Sequence, residues 1–131
     1  SSSDAYGNIR HKGGPGWLDL FLCRAADYVC VQVENVISNE EIRGNPWATT
    51  LTGVDAVVHQ KWGAHPFFSR GHYTQDVGFL DNYFAMAQLS YKTKDFTDLR
   101  DYIKINFLEP QRHEDYLELV GMKKLLSLRE Y

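Results

Sequence analysis

The chain has 131 residues, 44% apolar and 24% charged, with 14 Lys and Arg against 17 Asp and Glu, a formal charge of −3 and a pI near 5.9. That is the size of one ordinary domain, long enough to bury a core without a disulfide or metal staple. The balance excludes wholesale disorder; no run approaches the roughly 20 apolar residues of a membrane helix; and the basic residues, scattered apart from Lys123-Lys124, form no nucleic-acid-binding face.

Residues 1–16 are polar and Gly-rich and end in Gly13-Gly14-Pro15-Gly16. They read as an extended N-terminal arm. The glycines resemble a phosphate loop only in composition, since Pro15 lacks the N–H such a loop uses and no strand precedes it. The start at Ser1-Ser2-Ser3-Asp4 rather than Met fits a processed product or an excised domain.

From Trp17 to Ile37 the chain is apolar almost all round. Its length, with Pro15 just ahead, predicts one central helix. The alternation Tyr28-Val29-Cys30-Val31-Gln32-Val33-Glu34 is β-branched, and a strand near 28–36 is the alternative. Cys23 and Cys30 would stand about 10.5 Å apart along a helix, too far to bridge, and further on a strand. Both are expected to be free thiols serving as small core residues in a reducing compartment. No Asn-x-Ser/Thr occurs. An intracellular home follows, cytoplasmic or in an organelle after loss of a targeting segment, ahead of secretion.

Ser38, with Glu41 three residues on, predicts a capped short helix that Gly44-Asn45-Pro46 ends. Val54, Val57, Val58 and Trp62 fall at helical spacing. Residues 63–78 are irregular, punctuated by Gly63, Pro66, Gly71 and Gly78 between aromatic and histidine residues. A loop this aromatic must fold onto something.

The stripe Phe79, Leu80, Tyr83, Phe84, Ala87, Ser90 and Tyr91 predicts a helix, and so does Phe96, Leu99, Tyr102, Ile103 and Phe107 with Asp95 as N-cap. Pro110 at a first helical position, with Glu114 in the first turn, predicts a last helix running through Gly121 to Leu128. Together these give a mainly α fold, a single compact helical domain of four to five helices over 17–131 behind the arm 1–16. The alternative is α+β.

Four chemistries are weighed. His59, His65, His72 and Asp76 are of the ligand types that zinc or ferrous iron takes, in the irregular segment where functional residues gather, but their spacing matches no helical zinc pattern. His113-Glu114-Asp115 contains His-x-Asp, which ligates from an extended segment; in a helix i and i+2 point apart. Neither cysteine has a base nearby in sequence, and Ser69 lacks any nucleophile elbow. Finally, eight Tyr, seven Phe and three Trp make 14% of the chain, more than a small helical core needs. Tyr and Trp dominate interface hot spots.

The expected function is therefore a non-catalytic interaction or structural subunit. It would meet a protein partner, or its own copy, through Trp47, Trp62, Phe67, Phe68, Tyr73 and Tyr83 and through the arm. The alternative is a small metal-dependent or ligand-binding enzyme using the His/Asp cluster at 59–81. No cofactor is expected under the first reading and a transition metal under the second. Nucleic acid and a membrane span are not expected, and whether the chain catalyses anything stays open at this point.

Overall fold

The computed structural model describes residues 1–14, 16 and 18–130. The helix start expected at Pro15 and Trp17 lies outside the described residues. The chain divides into two compact units, Ser1–Gly63 with Ser69–His72, and Ala64–Phe68 with Tyr73–Glu130. Among the described residues there are six α-helices and five short strands, so the fold is mixed α/β and the α+β alternative describes it better than a helical domain.

In the first unit, β1 (Ser2–Ser3) pairs antiparallel with β2 (Ile9–Arg10) and parallel with β4 (Asn35–Val36). The segment read as an arm is thus partly sheet. Asp4 holds its turn together. The buried carboxylate accepts hydrogen bonds from the backbone N–H of Tyr6 (3.0 Å) and Asn8 (2.9 Å), and from the side-chain amides of Asn8 and Asn39, both at 2.8 Å. Burial alone would raise its pKa; the four donors outweigh that and hold it at about 2. Gly7 closes the turn at φ +77°, where a Cβ would stand 2.9 Å from Val54 Cγ2, so neither the dihedral nor the space admits a side chain.

The apolar stretch after Gly16 splits. Helix α1 covers Asp19–Ala25, and the β-branched half becomes β3 (Cys30–Val33), which pairs parallel with β5 (Ala56–His59) in the register Cys30↔Ala56 to Val33↔His59. The single helix over 17–37 is therefore corrected to a helix followed by a strand. The helix expected over 54–62 is corrected to a strand: its spacing was helical, but Val57 and Val58 are β-branched and find a β partner. Asp55 ties the pair, its carboxylate accepting from Val29 N–H at 2.7 Å and its own N–H donating to Val29 O at 2.9 Å. Ile9, Val33 and Leu51 form the buried cluster, with Cys23, Val31, Val54 and Val57 packed against it. Both cysteines are free; Cys23 joins that cluster, whereas Cys30 is exposed and is no core residue. The capped helix stands as expected: α2 covers Asn39–Gly44, and Ser38 Oγ accepts from Glu41 N–H at 3.1 Å.

The second unit carries α3 (Val77–Thr93), α4 (Thr97–Ile103), a π turn (Lys104–Leu108), α5 (His113–Val120) and α6 (Met122–Ser127). Asp95 lies one residue ahead of the α4 cap; its carboxylate accepts from Thr97 N–H at 3.0 Å and Thr97 Oγ1 at 2.7 Å. The helix expected through Gly121 is corrected to two. Gly121 stands at φ +88°, where α5 stops, and offers its carbonyl to Lys124 and Leu125 N–H to open α6. Only a residue without a Cβ takes that conformation cheaply. Asp115 pairs with Arg112 at 2.8 Å and accepts from its N–H at 3.0 Å, a helix-start role that removes His113-Glu114-Asp115 from ligand geometry. No helix among the described residues is long and apolar enough to cross a membrane.

Candidate functional site

The second unit holds a buried polar network. Its centre is Asp76, the N-cap of α3, whose Oδ1 accepts from Phe79 N–H at 3.0 Å. That same oxygen meets Lys124 Nζ at 3.0 Å, and Oδ2 meets His65 Nε2 at 3.4 Å. The other imidazole nitrogen, Nδ1, lies 2.6 Å from the Tyr116 hydroxyl. The His65 and Asp76 side chains are 0% and 2% exposed, so a charge left uncompensated here would cost several kcal/mol, on the order of 3–5.

Protonation follows from these contacts. Burial lowers the His65 pKa, against the hydrogen bond and charge of Asp76, which raise it, and Lys124 lowers it further. The imidazole is therefore neutral near pH 7. Assigning its proton to Nε2 satisfies both neighbours: Nε2–H donates to Asp76, and Nδ1 accepts the Tyr116 proton. Burial would raise Asp76, but its bonds from Phe79 and Lys124, the lysine charge and the bond from His65 win, and its pKa is lowered. Burial pushes the Tyr116 phenol up to about 12, so it keeps the proton it donates. Asp76 carries the negative charge, Lys124 the positive, and His65 and Tyr116 lock the geometry.

Two clefts share Phe79. One, of about 460 Å³, is lined by aromatic and aliphatic residues that include Pro66, Phe67, Phe79, Tyr83, Phe84 and Phe107. Phe79 stands edge-on to His65 (5.4 Å between centroids), Tyr102 (5.8 Å) and Phe107 (5.9 Å). The other, of about 350 Å³, is lined by Asp76, Lys124, Asn82, Asn106 and Phe79 among others. Lys124, half-exposed, brings its charge to this cleft while Asp76 behind it stays enclosed. The arrangement can orient a polar group of a ligand or of another protein segment. With His65 fully enclosed, it offers no imidazole to a reacting atom.

Of the residues expected to bind a metal, the structure brings His65 and Asp76 together. His59 lies at the end of β5 with Nε2 3.3 Å from Glu34 O, and His72 belongs with it to the first unit. Among the described residues no group of three or more His, Cys, Asp or Glu is placed to hold a metal ion. Of the residues expected at a docking surface, Trp47, Phe67 and Phe68 are exposed (96%, 57% and 56%) and Tyr83 lines the apolar cleft. Trp62 and Tyr73, 8% and 1% exposed, present little face to a partner. Trp62 sits at φ +64° and donates its N–H to Glu34 Oε2 at 2.8 Å; the Tyr73 hydroxyl accepts from Ala64 N–H at 2.9 Å. Sequence reasoning missed Lys124 and Tyr116. No local spacing links them to Asp76 and His65; the only signal was the Asp76-x-x-Phe79 cap.

Comparison with known proteins gives no match to any protein-family model. The chain is 34% identical, over 94% of its length, to one subunit (the A chain) of the glutaconate CoA-transferase of Acidaminococcus fermentans, and 32% identical, over 95%, to an uncharacterized protein of Archaeoglobus fulgidus. It spans 37% and 27% of the lengths of these relatives. Its structure superposes on the crystal structure of the A. fermentans glutaconate CoA-transferase with a TM-score of 0.84 at 32% identity, covering 99% of this chain and 39% of that one. A variant of the decarboxylase AibA/AibB gives 0.56 at 26% identity, covering 76% of this chain and 36% of that one.

Proposed function

We propose that the chain is part of a subunit of a CoA-transferase-type enzyme, working in an assembly that moves coenzyme A onto a small carboxylic acid of the glutaconate kind. The observation that carries this reading is a likeness, to both the sequence and the fold of one such enzyme, that runs along nearly the whole chain. The association expected from the sequence enters it as contact between subunits and within the longer subunit. Exposed Trp47, Phe67 and Phe68 and the apolar cleft beside Phe79 supply surface for that contact. The Asp76 network keeps the α3 and α6 frame in register under it. Two free thiols agree with a reducing, intracellular setting. The reading assigns no catalytic residue to this chain.

The test is reconstitution. The protein is produced together with its candidate partner subunit, then incubated with glutaconate and an acyl-CoA donor, with products followed by mass spectrometry. The expected result is glutaconyl-CoA and co-purification of the two subunits. Folded, co-purified protein that transfers coenzyme A to none of a panel of short mono- and dicarboxylates would overturn the reading.

A further inference from the structure

The first unit contains a cleft that neither the proposed reaction nor the polar network uses. Of about 330 Å³, it lies between α1 and residues 49–54, and Cys23, Arg24, Thr49, Thr50, Thr52 and Gly53 are among its lining residues. The approach is polar on both sides. From α1 comes the Arg24 guanidinium, exposed and in no ion pair among the described residues. From the facing segment comes a run of threonines ending in Gly53 at φ +73°. The Thr50 hydroxyl is committed: it lies 2.7 Å from His11 Nδ1 and donates to Ile9 O at 3.0 Å. Thr49 is different. Its Oγ1 is buried with no hydrogen-bond partner, an arrangement that costs a protein about 1–3 kcal/mol unless something completes it.

An unpaired guanidinium and an unsatisfied hydroxyl lining one concavity are complementary to a single kind of group. A carboxylate would occupy the two-pronged fork of the arginine; a phosphate oxyanion does so and still has an oxygen left to accept from threonine. We infer that this cleft is an oxyanion site for the phosphate of a phosphate-bearing ligand, with Arg24 as the charged anchor and Thr49 as the hydroxyl donor. The inference stands on the first unit's own geometry and does not depend on the proposed transferase activity.

The test titrates the intact protein with sodium pyrophosphate, read by calorimetry and by thermal shift, and repeats it with Arg24→Met, Arg24→Lys and Thr49→Val. Saturable binding is expected. Arg24→Met weakens it about tenfold or more, the loss of one charge-assisted contact, and Arg24→Lys restores part, as a point charge without the fork. Thr49→Val separates a ligand role from a packing role. It leaves the free protein as stable or more so, because an orphaned buried hydroxyl has gone, while shrinking the pyrophosphate-induced thermal shift. Coenzyme A serves as a second probe. Arg24-dependent competition names its phosphates as the source; pyrophosphate binding without competition names a separate phosphate ligand, and either outcome supports the site. No saturable binding, or binding equal in wild type and Arg24→Met, overturns it, and so does a Thr49→Val variant whose thermal shift is undiminished. Transferase activity is not among these readouts, so failure here and failure of reconstitution are told apart.

Discussion

His65 illustrates how much one side chain's surroundings decide. In solution an imidazole titrates near 6.5; here burial lowers that value against the pull of Asp76. His11, half-buried and bonded to Thr50, is lowered for the same leading reason. The sign follows from proton counting. With the folded pKa below the unfolded one, the unfolded chain binds more protons as pH falls below about 6.5, so stability is full above that value and declines beneath it. Asp4 and Asp76, both lowered, add a second loss as pH drops below their ordinary value of 3.8. Urea denaturation followed across pH 7.5 to 5 is expected to show a falling midpoint. The slope should be reduced, not abolished, in His65→Gln, the remainder being His11. An unchanged slope would mean that His65 is not buried neutral. His65 and Asp76 were singled out by residue type alone, as metal ligands. The sequence carries which groups are polar and near in the chain; it does not carry that Tyr116 and Lys124 arrive from α5 and α6 to satisfy them.

Elements owe their boundaries to a few side chains. Asp76 starts α3 by accepting Phe79 N–H and also holds Lys124 at the first turn of α6. Two substitutions separate these roles. Asp76→Asn keeps a cap acceptor but leaves Lys124 without its counter-charge; Lys124→Met leaves a buried carboxylate with its cap and His65 only. Both are expected to destabilise, Lys124→Met by about 3 kcal/mol or more because an uncompensated buried charge is the dearer loss. The double variant should recover part of that. Chemical denaturation of the four proteins as a cycle checks this, and strict additivity would refute the coupling. At this scale the sequence was legible where a local signal and the environment agreed: the Ser38 cap of α2, and the aromatic stripe of α3. It misled where spacing and side-chain type disagreed. Positions 54 to 62 have helical spacing but β-branched residues, and β5 forms because Cys30–Val33 provides a ladder. Likewise Gly121, tolerable on paper inside a helix, ends one, since its φ of +88° is closed to the rest of the helix.

For the whole chain, the aromatic surplus noted in the sequence is visible as surface: Tyr6, Phe21, Tyr28, Trp47, Phe67, Phe68, Phe84 and Tyr91 all remain more than half exposed. Helix α1 has no buried residue, although its composition alone reads as interior. A single chain cannot announce which of its apolar faces another segment will cover, and that is why a buried helix was expected there. Among these residues Trp47, 96% exposed on the turn Pro46–Ala48, contrasts with enclosed Trp62. The two indoles therefore report on different environments. In a protein carrying Trp17→Phe and Trp62→Phe, fluorescence comes from Trp47 alone and should show the red emission and ready iodide quenching of an indole in water. Once the partner subunit is added, the emission should move to the blue and the quencher lose access. If neither changes while the subunits bind, Trp47 lies outside the contact. The same ring thus turns assembly into an optical signal that needs no attached dye.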